Sequence, residues 1–227
     1  MSRLSFAMVV LALMAVANVC SAAADSCVPP AEFVDVPHPA VAPVDRLVSH
    51  TEEIVIDRRL TQVLSAVDKP LRDVVHKSSG LPGVAGDYVL TKGEFGAPGS
   101  RRVVCLTDGS TVEEQSLDRE RNESSFRFRY VVWNYTTEKA RPIEYGLGDF
   151  RYTASPDGTS TRIVWTYSFQ LNRHRFPGYL GSVGDFLFRI SFLDRPYAEM
   201  MRNTLNGYKT AAENEKPQPI IQGSARR

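Results

Sequence analysis

Alternating side chains decide the fold of this chain, most clearly in Thr159-Ser-Thr-Arg-Ile-Val-Trp-Thr-Tyr-Ser-Phe-Gln170. Ile163, Trp165, Tyr167 and Phe169 share one parity, whereas the residues between them are mostly polar or small. Successive side chains of a β-strand point to opposite faces, so such a strand has one apolar and one polar face. The stretch therefore predicts a sheet that packs one face on a core and exposes the other to water.

The same alternation recurs upstream, where Phe126, Phe128, Tyr130 and Val132 oppose Arg127 and Arg129. Turn-forming residues separate further strand-like runs at Asp108-Gly109, at the polar run Asp118 to Glu123 and at Ser155-Pro-Asp-Gly158. We predict seven strands, at Val48–Ile56, Asp87–Lys92, Arg101–Leu106, Thr111–Leu117, Ser125–Val132, Ile143–Thr153 and Thr159–Gln170.

Helical patterns flank the strands. After the first strand we predict two short helices, at Arg59–Val67 with Asp57 as its cap and at Lys69–Lys77. A longer helical pattern covers Leu180 to Ala212, with Pro196 expected to kink or divide it and the longer piece running from about Arg195. Its apolar stripe is Phe186, Ile190, Leu193, Tyr197, Met201, Leu205 and Tyr208.

The two ends of the chain differ from its centre. Residues 1–24 combine Arg3, an apolar run and small residues before Asp25, which is typical of a cleaved signal peptide; the alternative is an uncleaved membrane anchor. Residues 25–45 are proline-rich and should form an extended arm, and 46–213 should form one domain. The polar tail, 214–227, is expected to be disordered. We therefore expect a soluble protein exported to the periplasm or the medium, without a stable membrane anchor.

The charge balance and the cysteine content limit which classes of partner and bound metal the protein is expected to have. The chain has 27 Lys and Arg against 26 Asp and Glu, and loss of Arg3 with the signal leaves 26 against 26. This balance offers no electrostatic case for nucleic acid or an anionic membrane. Once Cys20 is removed, Cys27 and Cys105 are the only cysteines left, so in an oxidising compartment we predict that they form a disulfide; the alternative is two free thiols. Two distant cysteines and four scattered histidines (His38, His50, His76 and His174) do not suggest a metal site.

The order of elements resembles the helix-grip fold of the START, polyketide-cyclase and pollen-allergen-like superfamily over about residues 45–213. Four segments are similar to its motifs: Gly93 to Val104 with Arg101 and Arg102, Gly109 to Asp118 with Glu113 or Glu114, Gly158 to Trp165, and Arg195 to Lys209. The chain departs from the pattern in lacking a tryptophan expected within Lys69–Gly83, and in a longer Asn172–Gly184 connection. The resemblance implies an α+β fold, in which a curved seven-stranded antiparallel sheet wraps around a long C-terminal helix.

A helix gripped by such a sheet leaves a cavity, so the resemblance implies that the protein binds a hydrophobic small molecule or lipid, without a cofactor. The alternative is that these apolar residues are ordinary core. The candidate lining residues are Phe128, Tyr130, Tyr145, Trp165, Tyr167, Phe186, Ile190, Tyr197, Met200 and Met201.

Two other functions remain open. The first is a cyclase or dehydratase acting on an aromatic or polyketide-like substrate. Glu113, Glu114, Tyr145, Tyr167 and His174 are suitable acid–base residues by type, but both carboxylates lie among exposed-looking neighbours and no local catalytic motif selects any of them. The second is an envelope protein whose proline-rich arm or tail docks onto another protein. Whether the chain is an enzyme stays undecided, with binding favoured.

Overall fold

A single antiparallel sheet of seven strands dominates the structure, a computed structural model that describes Cys27, Val28, Val34 and residues 36–214. The predicted signal peptide and the tail from 215 onward lie outside the described residues. The spatial order of the strands is β1-β7-β6-β5-β4-β3-β2, and every neighbouring pair is antiparallel. The strands are β1 Val48–Ile56, β2 Val84–Val89, β3 Arg101–Leu106, β4 Thr111–Arg121, β5 Ser125–Trp133, β6 Ile143–Ala154 and β7 Thr161–Leu171.

The predicted strands are confirmed, but β2 lies three residues earlier than predicted and β4 ends four residues later. The polar run Asp118–Glu123 was expected to form a turn, but β4 continues through it to Arg121, which pairs with Phe126. An irregularity in the β4–β5 register between Ser116 and Asp118 accompanies this extension. The turn itself is short, because the Asn122 side-chain oxygen accepts hydrogen bonds from the backbone N–H groups of Ser124 and Ser125.

Two short helices follow β1: α1 at Leu60–Val67 and α2 at Leu71–Val74. The prediction that Asp57 caps α1 is wrong. The helix begins at Leu60, and its N-cap is Arg59, whose backbone N–H donates to the Gln62 side chain. The sequence favoured Asp57 because of its residue type, but the cap position is set by where the helix starts.

The C-terminal helical region has three parts: α3 at Ser182–Phe188, a π-helical segment at Arg189–Tyr197 and α4 at Ala198–Asn214. Pro196 lies inside the π-helical segment, and the helical path continues through it. The Ala198 N–H donates to the Leu193 carbonyl five residues back, as expected of the wider turn. Among the described residues, none of the helices is both long and apolar enough to cross a bilayer.

The sheet packs on both faces. Its inner face, with α1, α2 and α4, forms the main core, which includes Phe150, Trp165 and Leu205. A second, smaller apolar cluster lies on the outer face around Val131 and Trp133.

The described part of the proline-rich arm covers this outer cluster. Cys27 is bonded to Cys105 on β3, so the predicted disulfide is confirmed. Further along, the Trp133 indole N–H donates to the Val36 carbonyl over 2.7 Å, and the Ala42 N–H donates to the Tyr145 hydroxyl over 2.8 Å. The arm therefore takes part in the packing of the domain.

Candidate functional site

A cavity of about 810 Å³ lies between the inner face of the sheet, the short helices and the C-terminal helical region. This volume is within the range of about 300–1,000 Å³ typical of small-molecule sites. Strands β3 to β7 contribute one wall, α1 and α2 a second, and the π-helical segment with α4 a third. Representative lining residues are Leu64, Leu71, Val104, Phe128, Trp165, Phe192, Tyr197 and Met200.

Two glycines on β6 let aromatic side chains lie flat along this wall. A Cβ atom at Gly148 would overlap the ring of Tyr130, and one at Gly146 would overlap the ring of Tyr167. Both tyrosines belong to neighbouring strands, and Gly148 stands opposite both of them in the register. The glycines thus leave room for β5 and β7 to place broad rings across β6.

The aromatic wall is continuous. Phe150 stacks on Trp165 with ring centroids 4.4 Å apart, and Tyr167 contacts Tyr197 with centroids 4.7 Å apart. Tyr130 lies between Phe128 and Tyr167, at 5.4 and 6.1 Å. Rings in contact in this way restrain one another and present flat apolar surface.

A buried ion pair interrupts this apolar lining. Arg102 donates from Nε to Glu114 Oε2 over 2.8 Å, and its side chain is 12% exposed against 6% for Glu114. The guanidinium carbon of Arg102 lies 3.9 Å from the centre of the Phe95 ring. Its Nη1 atom lies 3.5 Å from Oδ2 of Asp87. Burial opposes the charge on Arg102, but Glu114 and Asp87 more than offset it, so the pKa of Arg102 is raised.

Phenol groups line the same cavity as the pair. Burial, reinforced by neighbouring groups, raises the pKa values of Tyr130, Tyr135, Tyr167 and Tyr197 well above their ordinary value, so these hydroxyls stay protonated. The Tyr135 hydroxyl lies close to Tyr167 without meeting it in hydrogen-bonding geometry. Most buried polar atoms find a partner, so this unsatisfied hydroxyl stands out.

Six of the ten predicted lining residues come together around the cavity: Phe128, Tyr130, Trp165, Tyr167, Tyr197 and Met200. The other four, Tyr145, Phe186, Ile190 and Met201, lie outside it.

Tyr145 lies on the opposite face of the sheet from the cavity. It is buried with Trp133 in the outer cluster, and its hydroxyl accepts the Ala42 N–H. The register of β6 against β7 shifts between Ile143 and Tyr145, so Ile143 lines the cavity although the two residues have the same parity. The prediction for Tyr145 was wrong because it followed residue type and ignored the alternation that places Phe150 and Tyr152 on the inner face.

The errors on the helix have a different cause. Phe186 and Ile190 are 59% and 40% exposed, while Phe188 and Leu193 are buried. The π-helical turn changes the phase of the helix, so a stripe drawn at regular α-helical spacing does not stay on one face. Met201 is fully buried in the main core and does not line the cavity.

Only some of the acid–base candidates line the cavity. Glu114 lines the cavity, but Glu113 lies on the outer face, where it accepts from Arg101, Asn134 and the Val36 N–H. Both glutamates are buried, with 1% of the whole residue exposed for Glu113 and 5% for Glu114, so the expectation that they lie among exposed neighbours was wrong. His174 is exposed and is not among the lining residues.

Arg102 is a charged lining residue that the sequence reasoning missed as a member of the site, although it lies within a quoted motif. Counting outward from the Asp108-Gly109 turn pairs Arg102 with Glu114, as the register shows. The same count places Val104 and Val112 on that face. Hairpin register was therefore the available signal for this ion pair.

Among the described residues, no group of three or more His, Cys, Asp or Glu side chains is arranged to hold a metal ion.

No protein-family profile and no curated protein matches this chain. Solved structures match it in fold. The di-domain aromatase/cyclase StfQ from the steffimycin pathway gives a TM-score of 0.51 at 14% identity, covering 74% of this chain and 52% of that one. A START superfamily protein from Mycobacterium smegmatis gives 0.49 at 9% identity, covering 73% and 97%. The allergen Ara h 8.0201 gives 0.47 at 12%, covering 74% and 98%.

These identities show the fold alone. The match to StfQ, together with the seven-stranded antiparallel sheet and the long C-terminal helix, shows a helix-grip fold. The sequence-based fold class is confirmed.

Proposed function

We propose that this protein binds a hydrophobic small molecule or lipid in the cavity between the sheet and the helices. The observation that carries the proposal is the cavity itself: about 810 Å³ with a stacked aromatic wall and one buried ion pair. Apolar surface with a few placed polar groups is the usual composition of small-molecule sites. The Arg102–Glu114 pair and the nearby phenols suit a ligand that carries an oxygen function on a largely apolar body.

We also propose that the protein is exported. The sequence of residues 1–24 predicts a signal peptide, and the Cys27–Cys105 disulfide supports an oxidising compartment. Intact-mass measurement of the released protein should give an N-terminus between Ala22 and Asp25. Recovery of the full-length chain in the membrane fraction would contradict this.

Two adjacent valines on β3 test the cavity. Val104 lines it, whereas Val103 is fully buried on the outer face of the same strand. A Val104→Phe ring can occupy the cavity, so we expect it to displace ligand with little change in the free energy of unfolding. Val103→Phe has no such space and should cost about 1–3 kcal/mol through overpacking.

The measurement compares uptake of an apolar, environment-sensitive dye with thermal unfolding for the two variants and the unaltered protein. We expect Val104→Phe to lose dye binding at near-unchanged stability, and Val103→Phe to keep dye binding at lower stability. If the unaltered protein takes up no dye, or if Val104→Phe is as destabilised as Val103→Phe, the space is closed core and the proposal fails.

A cyclase-like activity is a second candidate, because Glu114 and several phenols line the same cavity. General acid–base chemistry requires such groups within reach of a bound substrate. Mass spectrometry of an extracted ligand before and after incubation with the protein separates the two functions. A ligand that is unchanged after incubation with the unaltered protein supports binding. A ligand that is transformed by the unaltered protein but stays unchanged with the Glu114→Gln variant supports catalysis.

The envelope-interaction alternative loses support from the position of the arm. Its described residues lie against the outer cluster, and the Val36 carbonyl and Ala42 N–H are already bonded to the sheet. This part of the arm is therefore occupied within its own domain.

A further inference from the structure

Large apolar side chains are exposed in one short part of the chain. Six of the twelve exposed large hydrophobic residues among those described lie within residues 176–190. We call these six the apolar patch: Phe176, Tyr179, Leu180, Val183, Phe186 and Ile190, which are 39–61% exposed. Scattered exposed apolar residues are normal, but a concentration of this kind marks an interaction surface.

The patch is held by a packed framework. On α3, Gly184 and Phe188 are buried, so Val183 and Phe186 project away from the domain. A Cβ atom at Gly184 would overlap the Pro177 carbonyl, which shows how closely the helix sits on the preceding loop. The rings of Phe176 and Tyr179 are 6.0 Å apart. The exposed side chains are therefore presented by a fixed backbone.

The charge around the patch is positive. Residues 172–195 contain four arginines and two aspartates, a net charge of +2 in a chain whose total is +1. Arg173 pairs with Asp185. Arg175 and Arg189 are exposed, and neither has an ion pair among the described residues. The overall charge balance, which offered no case for an anionic surface, conceals this local excess.

We propose that the apolar patch docks onto the surface of an anionic phospholipid bilayer. Aromatic and aliphatic side chains can enter the interfacial region while flanking arginines contact the headgroups, as in interfacial helices. A symmetric contact with a second copy would instead bring the unpaired arginines of both copies to one interface. Charge complementarity thus favours a lipid surface over self-association.

The position of the patch relates it to the cavity. Buried Phe188 packs on Phe192, which lines the cavity, with ring centroids 5.0 Å apart. Docking would therefore bring the Phe192 side of the cavity close to the bilayer, where apolar ligands are dissolved. That consequence rests on the proposed function, whereas the docking itself does not.

Vesicle co-sedimentation tests the proposal with the purified protein, whose N-terminus is first determined by mass. Vesicles of phosphatidylcholine with phosphatidylglycerol are compared with vesicles of phosphatidylcholine alone. The double variant Val183→Ser, Phe186→Ser should bind roughly tenfold or more weakly, because it removes two apolar contacts. Its control is Val44→Ser, Val55→Ser, which changes two valines of similar exposure outside the patch.

A second pair of variants tests the charge. Arg175→Gln, Arg189→Gln should weaken binding to the anionic vesicles by about fivefold for each arginine. Arg151→Gln, Arg162→Gln changes two exposed arginines on the outer face and should leave binding unchanged. Dye uptake, measured on the same variants, should stay normal, which separates failure of docking from failure of the cavity.

Three results would overturn the proposal. The first is no binding of the unaltered protein to anionic vesicles. The second is equal binding by the patch variant and its control. The third is self-association in solution, measured by light scattering, that disappears in Val183→Ser, Phe186→Ser, because the patch would then contact a second copy.

Discussion

Neutralising one member of the buried Arg102–Glu114 pair should destabilise the protein far more than breaking an exposed pair. Glu114→Gln removes the carboxylate charge but keeps the size of the side chain. Losing one partner of a buried ion pair costs about 3–5 kcal/mol, because the remaining charge is left uncompensated. Here Asp87 at 3.5 Å and the Phe95 ring at 3.9 Å still stabilise Arg102, so we expect the lower part of that range.

The expected loss is therefore about 3 kcal/mol, which corresponds to a fall of roughly 6–12 °C in Tm for a chain of this size. Glu53→Gln is the matched control, since Glu53 pairs with Arg162 on the surface, with side chains 56% and 57% exposed. Exposed pairs contribute about 0–1 kcal/mol. The double variant Arg102→Met, Glu114→Met should recover most of the lost stability, because neither buried charge remains.

Urea and thermal unfolding followed by circular dichroism measure all four proteins. The reasoning is refuted if Glu114→Gln costs no more than Glu53→Gln, since the pair would then be hydrated inside the cavity. It is also refuted if the double variant is less stable than Glu114→Gln, because the pair would then be a net source of stability.

Two further predictions concern the whole domain. Burial raises the pKa values of Tyr130, Tyr135, Tyr167 and Tyr197, so their contribution to stability is complete below the ordinary tyrosine pKa of about 10 and is lost as the pH rises above it. Their phenolate absorbance should appear together with unfolding above about pH 10, and titration without any loss of circular dichroism would contradict this. Removing the disulfide with Cys27→Ser, Cys105→Ser should cost about 4.5 kcal/mol on the loop-entropy estimate for a separation of 78 residues. Urea unfolding measures the loss, and a change below about 1 kcal/mol would show that the unfolded chain is not constrained by the bond.

Local patterns in the sequence were sufficient to predict that the seven strands exist, although not where each of them begins and ends. The alternation of Phe126, Phe128 and Tyr130 with two arginines predicts a strand and the face that it buries, because side-chain direction in a strand depends only on parity. Cys27 and Cys105 are the only possible internal pair if the predicted signal peptide is removed, and they are bonded. The helix-grip fold was predicted through the resemblance of the order of the elements to that of a known superfamily, and this order could be read because each element is encoded within its own segment.

Part of the site was also available from the sequence and was overlooked. Hairpin counting from Asp108-Gly109 places Arg102 opposite Glu114, and parity places Tyr145 on the outer face. Residue type alone pointed elsewhere: to Tyr145 as a lining residue and to Glu114 as an exposed carboxylate. Register is more informative than residue type here, because a one-residue shift exchanges the two faces of a strand.

The cavity and the patch depended on tertiary structure. The strand pattern alone predicted an apolar inner face, but not whether that face would be filled. The faces of Phe186 and Ile190 changed because the π-helical segment shifts the phase of the helix, a feature that regular α-helical spacing does not represent. The space between sheet and helix depends on how Gly146 and Gly148 let rings from neighbouring strands lie across β6. Sequence periodicity describes each element by itself, whereas a cavity exists only where the surfaces of several elements meet without filling the space between them.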